Sequence, residues 1–298
     1  MASNMTADIR LVSGDLAPAI LGEGPVWDTA GERLYWVDIK GGRLNWLLPG
    51  AGELGGCDVA RQVSAVAARA NGQGLVAARQ DGVGILDPVT GHFDHRLTLE
   101  PDRLGNRAND GNIDLAGCFW IGTMDDAETA QTGAVYRLDP DWTCRRVLDG
   151  LGISNTLVCS PDGRRLYVAD SQAQTLDILN LDPVTGAAGE RRAFVDTRGQ
   201  SWAPDGSAVD SDGYIWNAQW GGARLVRYAP DGEIERIVPL PVDQPTSCAF
   251  GGPRLATLYI TSARMGLSAD TLARQPWAGH LLAFEPGVTG LSLPPFGG

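Results

Sequence analysis

Short apolar runs rich in aromatic and β-branched residues recur along the chain, separated by polar breaks that contain Gly, Asp and Pro. Six of them stand out: RLYWVDI (33–39), QGLVAAR (73–79), CFWIGTM (118–124), RLYVADS (165–171), YIWNAQW (214–220) and TLYITSA (257–263). Taking Tyr35, Leu75, Phe119, Leu166, Tyr214 and Leu258 as markers, the spacings are 40, 44, 47, 48 and 44 residues. Most runs are preceded by a second short strand pattern and followed by another that ends in a turn, as in GVGILDPVTG and ARLVRYAPDG. No segment keeps a 3.6-residue period for four turns, so helical repeats are excluded and the runs read as strands. Three or four short strands repeated six times predict an all-β, six-bladed β-propeller. The six units fill residues 1–298 as a single domain, with residues 1–5 read as a start-site extension. The strand needed to close the ring is expected from 9–14, pairing beside 280–286, which removes open sheet edges.

Composition narrows the function. Thirty-nine glycines suit a chain of many turns, and 43% apolar residues suffice for a large core. The net charge of −12, with no basic cluster, argues against a nucleic-acid or anionic-membrane partner. Five cysteines without a C-x-x-C and three histidines support neither a disulfide framework nor a zinc ribbon. Any metal would be held mainly by oxygen, which favours Ca, Mg or Mn over a His-rich zinc centre. The N-terminus lacks an apolar signal region and there is no run of 18 apolar residues, so a cytoplasmic location without a membrane span is expected.

The units align on the glycine of the hairpin between first and second strands. Eight residues before Gly31, Gly117, Gly163 and Gly213 stand Glu23, Asn109, Asn155 and Asp205. The second unit has Ser64 there, and the sixth is ambiguous around Thr246. In Pro204-Asp205-Gly206 and Ser211-Asp212-Gly213, only the second tripeptide is therefore a hairpin turn. A lone Asn or Asp beside Gly is an ordinary turn former. Four such groups at one register of the innermost strands instead point at one spot on the propeller axis. Two carboxylates and neutral amide oxygens there make a hard-cation site in the central channel, with positions left for water and substrate.

The stretches LGEGPVWD, RANDGNIDLAGCFWIGTM, ISNTLVCSPDGRRLYVADS, PDGSAVDSDGYIWNAQWGG and TSCAFGGPRLATLYITSARMGL resemble the regucalcin/gluconolactonase family over roughly residues 18–287. That resemblance implies a propeller with one divalent metal (Ca, Mn, Mg, Zn or Fe) and hydrolysis of sugar lactones to aldonic acids, in a sugar oxidation pathway. It implies Glu23, Asn155 and Asp205 as metal ligands, with Asp205 also the catalytic acid/base. Arg107 and Asn109 look like substrate contacts. Of Asp125, Asp126 and Glu128, which follow GTM, Glu128 is taken as the acidic substrate contact. Trp202 and Trp220 could wall a sugar ring, although packing between blades is the commoner role. Two competing readings use the same scaffold: an organophosphate or aryl-ester hydrolase, and a non-catalytic calcium-binding propeller.

Overall fold

The computed structural model describes residues 3–4, 7–182 and 185–298. Six antiparallel four-stranded sheets stand around an axis. From the axis outwards, blade one runs Gly22–Asp28, Arg33–Asp38, Arg43–Leu48, Glu53–Asp58. The other inner strands are Val63–Ala68, Asn106–Ile113, Ser154–Cys159, Ala203–Val209 and Pro245–Gly251 for blades two to six. Blade six is completed from the other end of the chain. Arg10 pairs with Ala283 and Leu11 with Leu282, as the closure expectation required. Ser3–Asn4 add a parallel strand to the outer edge of blade five; the remainder of 1–5 lies outside the described residues. One six-residue helix, Ala269–Arg274, is capped by the Ser268 hydroxyl.

The aromatic runs are the second strands, and their unbroken hydrophobicity has a simple cause. Each blade is covered on both faces by its neighbours, so both sets of alternating side chains are buried. Phe119, Trp120 and Ile121 are all inaccessible to solvent. The apolar clusters accordingly lie between blades: Trp216 of blade five meets Phe250 and Phe284 of blade six edge-on, at 6.4 and 6.0 Å. Outer strands such as Ala188–Asp196 are mostly exposed.

Two features position the site. Loops alternate between the two faces, so the starts of the inner strands share a face with the loops between second and third strands. On that face every inner strand carries one extra residue, at Glu23/Val26, Val63/Ala65, Ala108/Asp110, Asn155/Val158, Pro204/Ser207 and Pro245/Ser247. Such a bulge re-aims a side chain, and these six fall where the sequence count placed Glu23, Ser64, Asn109, Asn155, Asp205 and Thr246. On the opposite face the C-terminal segment crosses the channel. Gly290 bridges to Asp210 and Phe296 to Arg69, while the Phe296 ring is fully buried against Trp142 at 5.4 Å. Between these anchors Leu291–Pro295 help line a cavity of about 780 Å³, whose inner end reaches Asp110 and Gly24.

Candidate metal centre

Glu23, Asn155 and Asp205 come from blades one, four and five and are 5%, 3% and 5% exposed. Glu23 lies near enough to Asp205 to feel its charge, and Asn155 is tied through Ser171 to the Pro204 carbonyl beside Asp205. Burial, then the charges of Asp205 and Asp110, push the Glu23 carboxyl well above its usual range. Burial and Asp110 do the same to Asp205. Glu23 accepts a hydrogen bond from the Gly24 amide at 3.1 Å, and Asp205 receives the Gly206 amide. Among the described residues no salt bridge joins either carboxylate to a cation.

Asn155 is held in one orientation. Its Nδ2 donates to Ser171 Oγ at 2.8 Å, and Ser171 donates in turn to the Pro204 carbonyl at 2.6 Å. The amide oxygen is thereby left to Asn109, whose Nδ2 donates to it at 3.0 Å. Among the described residues no group of three or more His, Cys, Asp or Glu side chains has the geometry to hold a metal unaided. The set that fits a hard divalent cation is two carboxylates plus the Asn155 oxygen. Their chemistry suits one: all donors are oxygen, the amide is fixed by an outer partner, and the buried negative charge lacks a counterion.

The surrounding ring is stitched blade to blade. Ser64 Oγ donates to the Ala108 carbonyl at 2.5 Å, Asn109 Nδ2 to the Ser154 carbonyl at 3.0 Å, and Thr246 Oγ1 to the Gly22 carbonyl at 2.5 Å. Thr156 Oγ1 donates to the Asp205 carbonyl, which also receives Asn217 Nδ2 at 2.9 Å. The two units without a carboxylate or amide at the aligned position thus use hydroxyls there to hold the ring.

Arg107 is 3% exposed. Its Nη1 donates to Asn109 Oδ1 at 2.7 Å, which links it through Asn109 to Asn155. Its Nε lies 2.5 Å from Asp126 Oδ1, and Lys40 Nζ lies 2.6 Å from the same oxygen. Burial opposes ionisation of Asp126, but these two cations hold its carboxyl below the usual range. The three acidic residues after Met124 have separate fates. Asp125 accepts from the amides of Thr129 and Ala130 and from the Thr129 hydroxyl, which shapes the loop. Asp126 is the one joined to Arg107. Glu128 is exposed, with φ 57°, and its carbonyl accepts from Gln172 Nε2 of blade four at 3.1 Å. Of the two tryptophans, Trp202 lies under the Arg224 guanidinium at 4.9 Å, and Trp220 is half-buried at the edge of an apolar cluster that includes Leu21, Ile39 and Ala263.

Sequence reasoning did not single out Asp110, Lys40 or Asp126. Asp110 is 8% exposed and stands behind Glu23 and Asp205. Burial raises its pKa to about 6, although the amides of Gly111, Thr156 and Leu157 all donate to it. Its only signal was adjacency to Asn109. Lys40 sits in a loop of blade one, with no local motif.

The fold is a six-bladed propeller whose innermost strands carry a set of buried oxygen donors. Residues 21–264 match the model of the SMP-30/gluconolactonase/LRE-like region, and the chain belongs to that family. It is 36% identical over 283 residues to the 6-deoxy-6-sulfogluconolactonase of Pseudomonas putida, covering 94% of this chain and 96% of that one. It is also 36% identical to the L-arabinolactonase of Azospirillum brasilense, over 93% and 92% of the two chains. Among solved structures, a calcium-binding protein, regucalcin, from Agrobacterium tumefaciens superposes with a TM-score of 0.93 at 31% identity, covering 99% of both chains.

Proposed function

We propose that this chain is a lactone hydrolase that opens sugar (aldono-) lactones to aldonic acids with one divalent cation held by Glu23, Asn155 and Asp205. The observation that carries the reading is the pair of buried carboxyls, Glu23 and Asp205, both held well above their usual range, with Asn155 linked through Asn109 to the Arg107 guanidinium. The names of the Pseudomonas and Azospirillum relatives support the substrate class. A cation bound there supplies Lewis-acid polarisation of the lactone carbonyl.

The remaining work falls to side chains. Asp205, anchored by its carbonyl to Thr156 and Asn217, takes a proton from the attacking water and returns it to the ring oxygen as the ester bond breaks. Arg107 and Asn109 hydrogen-bond the sugar hydroxyls, and Arg107 faces the oxygen on which negative charge grows. Glu128 presents a carboxylate from the exposed loop to the outer hydroxyls of the ring. An aldonic acid product implies an upstream oxidation of an aldose, as in a sugar oxidation pathway.

The calcium-binding description of the Agrobacterium structure favours a second reading, cation binding without turnover. One experiment separates them. Chelated protein is reloaded with Ca, Mn, Mg, Zn or Fe(II) and assayed by pH-stat on aldonolactones and on a phosphotriester. The proposal expects cation-restored lactone opening, lost in Asp205→Ala. Cation binding without hydrolysis of any lactone selects the second reading, and phosphotriester turnover alone selects another hydrolase.

A further inference from the structure

Lys40 is the only lysine among 298 residues, whereas the chain has 23 arginines. Its ammonium reaches the edge of the candidate site, 2.6 Å from Asp126 Oδ1, beside the Arg107 Nε on the same oxygen. Gln62 Nε2 approaches the other carboxylate oxygen at 3.5 Å. Blades one and three, with the loop leading into blade two, thus meet at one carboxylate that two cations share. Of these two cations, Arg107 also acts on the buried Glu23 carboxyl.

The two cations are not equivalent. Arg107 is 3% exposed and committed to Asp126, Asn109 and the Ala108 carbonyl. The Lys40 side chain is 25% exposed and its one ion pair is to Asp126. An arginine in its place could grip Asp126 with two parallel bonds and stay there. A lysine ammonium makes point contacts on a flexible stem, so it can leave a shared carboxylate for a better acceptor.

We propose that Lys40 is a specificity-determining residue, whose ammonium takes an anionic substituent, such as a sulfonate or phosphate, on the part of the lactone remote from the reacting carbonyl. The inference rests on the lactonase reading and deepens it. An uncharged sugar hydroxyl would offer the ammonium less than Asp126 already does, whereas a second oxyanion offers it a full charge that it need not share with Arg107.

The test pairs two lactones that differ only at carbon 6, glucono-1,5-lactone and its 6-phosphate, for wild type, Lys40→Met and Lys40→Arg. Loss of a partly exposed charge-assisted contact lowers the kcat/KM ratio, phosphorylated over neutral, by about tenfold in Lys40→Met. Lys40→Arg, held on Asp126 by two parallel bonds, recovers only a small part of it. A purely structural ion pair lowers both lactones together and leaves the ratio unchanged, which overturns the proposal. The single ε-amine gives a second readout that needs no turnover. Reductive methylation of the metal-loaded protein, read by peptide mass spectrometry, is slowed by 6-phosphogluconate and not by gluconate. Equal labelling with both also overturns it. If wild type opens neither lactone, the lactonase reading falls, and the labelling result alone decides whether Lys40 is an anion contact.

Discussion

Asp205 and Asp210 lie at opposite ends of the innermost strand of blade five, and both are almost wholly buried, 5% and 0% exposed. Asp210 is surrounded by donors. Arg227 approaches it at 2.7 and 2.8 Å, Trp216 Nε1 at 3.0 Å, and the amides of Asp212 and Tyr214 each at 3.0 Å. Asp205 has the Gly206 amide and two like-charged neighbours. Blade three repeats the contrast. Asp114 accepts from Trp120 Nε1 at 2.9 Å and from two amides, while Asp110 on the same strand is pushed up to about 6. A carboxylate that serves the architecture is supplied with partners by its own blade. Asp205 and Asp110 are instead left short of positive charge, which the proposed cation would supply.

The largest effect that sharpens this contrast is on catalysis. Asp205→Asn keeps the shape but removes the charge and the proton acceptor that the lactonase proposal assigns to it, so kcat/KM on an aldonolactone is expected to fall on the order of 10³-fold or more. The chelated variant melts no lower than chelated wild type, because a repelled charge has gone. Steady-state assays and thermal melts with chelator check both halves, and a variant that retains turnover would remove Asp205 from the reaction.

Asp210→Asn should do the reverse. It leaves the Arg227 guanidinium buried without its main counter-charge, which costs about 3–5 kcal/mol. Denaturant midpoints should drop accordingly, while the kcat of the folded fraction stays near wild type. A loss of activity without loss of stability would mean that the two aspartates do not divide the work in this way.

Removing the cation exposes the same contrast as a pH dependence. In chelated protein the Asp110 carboxyl titrates near 6 when folded, against 3.8 ordinarily, and Glu23 and Asp205 are also raised. Between those values the folded state holds more protons than the unfolded state, so stability falls as pH rises from about 4 through 6 and beyond. Asp110 alone contributes about 3 kcal/mol to that fall. The depressed carboxyls act with opposite sign lower down: Asp149 and Asp196, held near 2 chiefly by Arg103 and Arg198, lose their contribution as pH drops from 3.8 towards 2. Denaturation of chelated protein from pH 4.5 to 8 should therefore show declining stability, which the bound cation flattens. Identical slopes with and without cation would contradict the assignment.

Much of the ring was legible because propeller blades repeat. The aromatic second strands gave the period, and the hairpin glycines gave a register that landed on five inner-strand bulges, while the sixth, left ambiguous around Thr246, is fixed by the Pro245/Ser247 bulge. Asp205 could be told from Asp212 because Gly213, with φ +83°, closes the hairpin. Contacts between blades were not legible. Asp110 reaches amides of blade four, and Lys40 and Asp126 meet across 86 residues of sequence. No local period encodes such distances. The choice among Asp125, Asp126 and Glu128 depended on which one the loop turns towards Arg107, and that is fixed by Asp125 capping the loop's own amides.

The smallest effect tests how firmly Asp205 must be held. Thr156, at φ 57° in the blade-four bulge, donates to the Asp205 carbonyl and shares a hydrogen bond with Ser207 Oγ at 2.8 Å. Thr156→Val keeps the branched shape and removes the hydroxyl, leaving Asn217 Nδ2 as the remaining side-chain donor to that carbonyl. The loss of one buried hydrogen bond costs about 1 kcal/mol of stability. If the hydroxyl positions Asp205 for proton transfer, kcat falls by several-fold while KM scarcely moves, since substrate hydroxyls are held by other residues. A rise in KM with kcat preserved would instead place the Thr156 contact on the side of substrate binding, and make Asp205 tolerant of its backbone's position.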